Sequence, residues 1–186
     1  MSAVKLIPAS GGGSVSLVPP NSTSGSDITF TLPSTSQSFG KILQVVQTVK
    51  SDTTSSSSDS FVDIAGLSAD ITPTSSSNKV LLMYSVYVSF SNALVAYINP
   101  VRGSTTLAQT SGSPTNKGTG ILYTWGSGNS MLQMHYTFLD SPNTTSATTY
   151  KLQYRCHGSG TVYINRYAVS DDYYGTSTLT LMEVAA

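Results

Sequence analysis

Charge is scarce in this sequence. Only 10% of its 186 residues are Asp, Glu, Lys or Arg, and the nine basic and nine acidic side chains cancel. No broad field of either sign exists to steer a polyanion or an anionic bilayer, so nucleic acid is not expected as a partner. Glutamate occurs once, at Glu183, and lysine and arginine are few, which removes the residues that usually fill helix surfaces. Cys156 is the single cysteine, so an internal disulfide is excluded and stability has to come from packing or from association between chains. Nowhere do about 18 apolar residues run together, and the apolar stretch within Met1 to Pro8 is too short for a secretory signal. A soluble product made in the cytoplasm, without membrane insertion, is expected.

Ser and Thr make up about three residues in ten, and Val, Ile, Tyr, Phe and Thr recur in short runs between Ser, Gly, Asn and Pro. That chemistry suits pleated, half-buried strands. Residues 1–38 read as an extended arm: Val4 to Ile7, then Gly11-Gly12-Gly13, then a run holding Val15 and Leu17, then a strand in which Ile28, Phe30 and Leu32 share one face. So short an apolar face does not stabilise itself in water, and the arm is read as a docking element. Residues 39–186 read as one body. Its strands are expected over Lys41 to Lys50, Phe61 to Ile64, Leu67 to Thr72, Lys79 to Phe90, Leu94 to Ile98, Val101 to Leu107, Met131 to Leu139, Thr149 to His157, Thr161 to Val169 and Ser177 to Val184. Ser51 to Ser60 and Thr110 to Gly120 read as loops, and Asn99-Pro100 as a turn. Tyr150, Leu152, Tyr154 and Cys156 alternate with Lys151, Gln153, Arg155 and His157, a dry face against a wet one. The spacing favours an all-β, jelly-roll-like antiparallel β-sandwich, and no fixed-period repeat points to a propeller or β-helix.

Chemical signatures are sparse. Gly11-Gly12-Gly13 is followed by no Lys-Ser or Lys-Thr, so a connection is expected rather than a phosphate loop. His135 and His157 would approach each other if their strands paired, yet no Asp or Glu spacing completes a metal site, and neither metal nor cofactor is expected. Asp171 and Asp172 are neighbours on an extended segment, whereas glycoside cleavage needs carboxyls facing across a substrate, so a turn is expected there. Cys156 sits on the apolar face and reads as a small buried hydrophobe. No catalytic residue is assigned. Aromatic residues beside polar loops carry more: Tyr123 and Trp125 before Asn129, and Tyr173 and Tyr174 after the Asp pair. Such groupings serve subunit packing or contact with a sugar ring, and both readings stay open.

Two stretches resemble segments of tailed-bacteriophage virion proteins. Gly13 to Pro33 (GSVSLVPPNSTSGSDITFTLP) is similar to a stretch near the start of tail-fibre and head-fibre proteins. Lys41 to Lys50 (KILQVVQTVK), Phe61 to Ser68 (FVDIAGLS), Ile71 to Val80 (ITPTSSSNKV) and Leu179 to Val184 (LTLMEV) resemble, in order and spacing, the terminal domains of phage fibres. The resemblance implies a compact sandwich like tumour-necrosis-factor and C1q heads, assembled as a homotrimer and carrying no catalytic residues. The expected function is a virion structural protein, a tail-fibre, spike or head-fibre component. Its arm would dock onto other virion proteins of tail, baseplate or capsid, and its head would meet a host surface glycan. Capsid decoration is the alternative, and a glycan-degrading spike enzyme a further one.

Overall fold

The structure, a computed structural model, describes residues 4–6, 15–17, 41–91, 95–109, 111, 118–123 and 130–186, with 4–6, 15–17 and 122–123 described through their backbone alone. Met1–Gln37 and Ser38–Ala186 are separate compact units. In the first, β1 (Val4–Leu6) and β2 (Val15–Leu17) pair antiparallel, Val4 opposite Leu17. The expected strand with Ile28, Phe30 and Leu32 lies outside the described residues.

The second unit contains β3 (Ile42–Lys50), β4 (Thr54–Ser56), β5 (Val62–Ile71), β6 (Lys79–Ser91), β7 (Val95–Arg102), β8 (Thr105–Thr106), β9 (Gly120–Tyr123), β10 (Leu132–Asp140), β11 (Thr148–His157), β12 (Thr161–Ile164) and β13 (Ser177–Val184). Among the described residues there is no helix. Strand pairings are nested: β3 with β13, β5 with β11, β6 with β10 and β7 with β9, every pair antiparallel. A long hairpin folded over on itself in this way makes two sheets, β3-β13-β6-β10 and β5-β11-β7-β9, which is a jelly roll. The β-sandwich expected from the alternation is therefore the fold.

Both sheets contribute to one core. Val80, Leu82, Tyr84, Val86, Val88 and Phe90 of β6 are buried with Leu179 and Leu181 of β13 on one side, and with Ile64, Leu67, Ile98, Leu152 and Cys156 on the other. Each such aliphatic or Phe side chain contributes about 1.5–3 kcal/mol on leaving water. At one end Asp140, closing β10, accepts hydrogen bonds from Arg102 Nη1 and Tyr150 Oη, both at 2.6 Å, and so ties one sheet to the other. Burial, reinforced by the Asp140 carboxylate, pushes the Tyr150 phenol well above its ordinary range.

Several local expectations are corrected. The stretch Leu94 to Leu107 is not two strands about Asn99-Pro100, because β7 runs straight through both residues and turns at Gly103-Ser104. Pro100 is tolerated because its carbonyl, which accepts from Leu107 N at 2.9 Å, points to the side where β8 and β9 leave a gap. The missing N–H faces that same gap and interrupts no ladder. The two runs expected over Phe61 to Ile64 and Leu67 to Thr72 are one strand, Val62–Ile71, bulged where Ala65 and Gly66 interrupt the inward series Ile64, Leu67, Ala69, Ile71. Gly66 takes φ +84°, a left-handed conformation that glycine adopts without strain. Ser51 to Ser60 is not wholly loop: Thr54–Ser56 pairs with β12. β12 stops at Ile164 rather than reaching Val169, since Asn165 turns left-handed at φ 61°. Tyr123, expected beside a loop, is the last residue of β9, opposite Val95.

The one glutamate lies at the same end, across β6 from Asp140, both being opposite Val80. Glu183 is fully buried and forms no ion pair among the described residues; its carboxylate accepts from Asn78 Nδ2, Gln44 Nε2 and Thr74 N, each at 2.6 Å, and from Thr74 Oγ1 at 2.8 Å. Burial opposes its ionisation, but these four neutral donors outweigh burial and hold the carboxyl at about 2, below its ordinary 4.5. A group lowered on folding stabilises the fold above its unfolded value, and that contribution drains away as pH falls through the folded one. Here it amounts to roughly 3 kcal/mol at neutral pH, lost between pH 4.5 and 2. Urea titrations across this window are expected to show that loss, and Glu183→Gln, which sets an amide N–H₂ against existing donors, is expected to remove a similar amount at pH 7. Identical pH profiles for the two proteins would contradict the assignment.

Candidate functional site

β13 and β12 run end to end along the same edge of β6. Thr178 lies opposite Ser85, and Ile164 opposite Val88. A continuous strand would bridge that gap with two residues, yet the chain spends residues 165–177 there. The excess is extruded as a hairpin on the outer side of the sheet. Tyr167 N donates to Tyr173 O at 3.0 Å, Arg166 bridges Tyr174, and Gly175 N donates to Asn165 O at 3.1 Å.

Its base is heavily braced. Asn165 is fully buried; its N donates to Tyr87 O, its Nδ2 to Lys50 O at 2.7 Å and Asp52 O at 3.1 Å, and its Oδ1 accepts from Ser177 Oγ at 2.5 Å. Ser177 Oγ in turn accepts from Tyr87 N. The break in the ladder of β6 is thus satisfied on both its donor and its acceptor. The Arg166 guanidinium lies 4.6 Å above the Tyr163 ring and pairs with Asp171 at 3.0 Å. Gly175 rests on the Tyr87 ring so closely that an added Cβ would come within 2.6 Å of it. Ser89, buried beneath, donates to Arg166 O.

The hairpin therefore covers the outer face of β6 at Tyr87 and Ser89 and leaves bare the half of the β3-β13-β6-β10 sheet nearer Lys79. Across the bare half, Val45, Met182, Leu81 and Leu139 lie side by side in register. Val45 is 56% and Leu139 53% exposed. Ile42 and Val184 flank this row below, and Met83 and Val49 above. The adjacent inward row, Val46, Leu181, Leu82 and Phe138, belongs to or packs on the core. At this level the sheet is apolar on both sides. Sequence reading missed this patch. Its signal is a doublet of apolar residues in each of four strands, Val45-Val46, Leu81-Leu82, Phe138-Leu139 and Leu181-Met182, and doublets reveal a shared row only once register is known.

Of the expected contact residues, Asp171, Asp172, Tyr173 and Tyr174 come together on the hairpin. Tyr173 is 65% and Tyr174 59% exposed. Tyr123 closes β9, while Trp125 and Asn129 lie outside the described residues. Asp171 and Asp172 occupy the turn, the second accepting from Ser170 Oγ at 2.5 Å. In the arm, Val15 and Leu17 belong to β2. His135 and His157 do not meet, because β10 pairs with β6 in one sheet and β11 with β5 and β7 in the other. His157 lies instead 3.3 Å from Asp59, which Arg155 also holds at 2.9 Å. Among the described residues no cluster of His, Cys, Asp or Glu could hold a metal ion. Cys156 is fully buried, its thiol pushed up by burial, as a small core side chain.

No protein-family model matches the chain, and no curated protein does. A solved structure of the infectious bursal disease virus Gx strain is similar at a TM-score of 0.36 and 15% identity, over 77% of this chain and 38% of that one. This chain thus spans well under half the length of that neighbour, and the likeness is too loose to carry an argument.

The bracing of the hairpin makes Asn165 its keystone. Asn165→Ala is expected to leave the Lys50 and Asp52 carbonyls unsatisfied and to force alanine into a left-handed conformation, a loss of about 3 kcal/mol in denaturant titration. Limited proteolysis of that variant should cut first within residues 165–176. A loss under about 0.5 kcal/mol would show that the hairpin holds itself.

Proposed function

We propose that this chain is a structural module of a virion surface, assembled as a homotrimer through the bare half of its outer sheet. One observation carries the reading: an apolar row four strands wide, which the chain's own hairpin stops short of covering. The row spans four strands about 4.8 Å apart and roughly 7 Å along each, on the order of 130 Å², and Ile42, Val184 and Met83 widen it. Exposed apolar side chains grouped in register and rimmed by polar ones are the form that an interaction site takes. They supply the apolar centre of an interface, and the surrounding Thr137, Thr178, Gln47 and His135 make a polar rim.

A second copy of the chain is the occupant. With formal charges balanced at nine and nine, no charge repulsion opposes like meeting like, and a single cysteine leaves assembly without an internal disulfide to replace it. The fibre-like segments in the arm and body support the trimeric, virion-bound form of this reading. The arm, residues 1–38, docks onto other virion proteins, and the sandwich faces the host. Tail-fibre or head-fibre placement and capsid decoration differ in copy number, a few dozen or fewer against hundreds.

Light scattering on the full chain is expected to give three times the 19.5 kDa chain mass. The double variant Val45→Asp, Leu139→Asp is expected to run as a monomer with an unchanged circular dichroism spectrum. A monomeric parent protein, a dimer, or a variant that stays trimeric would each reject the assembly proposed.

A further inference from the structure

The hairpin at 165–176 is longer than its connection requires, and its form indicates what the excess is for. Connecting segments that carry binding residues work best when a rigid scaffold presents them. This one is pinned at its base by Asn165, Ser177 and Gly175 and along one side by Arg166 on Tyr163. The base is therefore fixed before any ligand arrives, which lowers a main loss in binding. The far end displays large rings to water.

The pairing of the hairpin sorts those rings. Tyr167 is opposite Tyr173 and Arg166 opposite Tyr174, so neighbouring tyrosines 173 and 174 point to opposite sides of the ribbon. On one side Tyr173 and Tyr167 form an aromatic corner, with centroids 5.8 Å apart and planes at 87°. Next to it in the chain is the exposed Asp172, one of whose carboxylate oxygens is held by Ser170. On the other side Tyr174 shares its face with an arginine already engaged by Tyr163 and Asp171.

We infer that the Tyr167–Tyr173 corner, with Asp172 next to it in the chain, is a binding site for a neutral hexose or N-acetylhexosamine ring. An exposed tyrosine face takes the C–H face of a sugar ring, and a carboxylate takes its hydroxyl donors. The charge decides between sugar classes. Two carboxylates, Asp171 and Asp172, face one guanidinium that is already spent on Asp171, so the hairpin carries net negative charge and opposes acidic sugars. One ring on so shallow a corner binds weakly, and repetition on an assembly multiplies the avidity. Only that last step rests on the function proposed above; the site itself belongs to a single chain.

Saturation-transfer NMR on the full chain tests this with methyl glycosides of glucose, galactose, mannose and N-acetylglucosamine, and with N-acetylneuraminic acid as the acidic probe. Saturation is expected on the ring protons of at least one neutral glycoside and not on the acidic sugar. Tyr173→Ala and, separately, the isosteric Asp172→Asn are each expected to weaken binding about tenfold or more, with Tyr174→Ala unchanged. Light scattering on the same samples reads assembly independently, so a lost trimer with retained sugar binding rejects the function and keeps the site. No neutral glycoside bound, preference for the acidic sugar, retained binding in Tyr173→Ala, or a changed mass in that variant would each overturn it.

Discussion

Strand β6 has two full edges of backbone donors and acceptors in the middle of the molecule, and buried groups of that kind must be paired. β10 satisfies one edge in unbroken register from Val80 to Val88. No single strand satisfies the other: β13 covers Lys79 to Ser85 and β12 covers Val88 to Ser91. The N–H and C=O of Tyr87 fall in the gap and are taken by Ser177 Oγ and Asn165 N. Because the Ser177 hydroxyl and the Asn165 backbone N–H complete the ladder there, the chain is free to leave the sheet and return. The hairpin, the covered half of the outer face and the bare half beside it all follow from how that gap is closed.

The two surface features are consequences of one layout. Where the hairpin folds back, it buries Ser89 and the face of Tyr87; where it ends, the Val45, Met182, Leu81 and Leu139 row is left to solvent. Apolar exposure of this kind is unfavourable for an isolated chain and favourable for one that finds a partner. The buried polar groups are treated with the opposite economy. Glu183, Asn165, Asp140 and Asn78 are all buried and all hydrogen-bonded, which is what low-dielectric surroundings demand. Glu183 is the extreme case, a carboxylate kept ionised by neutral donors alone.

Much of the fold was legible because the side-chain period of a strand is two. Tyr84 to Phe90 and Tyr150 to Cys156 declare their inner faces by alternation, and the structure buries Tyr84, Val86, Val88 and Phe90 and Tyr150, Leu152, Tyr154 and Cys156. The misreadings came where a local residue type signalled a turn that tertiary pairing overrode. Pro100 stays in a strand because its missing donor faces a gap between two short neighbours, and the Ser-rich stretch holds β4 because β12 offers it an edge. Neither fact is visible without knowing which strands are adjacent.

Composition and periodicity alone determined an all-β chain without an internal disulfide and the inward faces of its regular strands. Register decided the rest. Whether Leu81 and Leu139 form a patch or two isolated exposures depends on which strand lies beside which, and that choice is made by contacts such as Val45 with Met182, at opposite ends of the body's sequence. The same holds for Tyr173, whose partner is Tyr167 rather than its neighbour Tyr174, because the hairpin pairing places successive side chains on opposite faces.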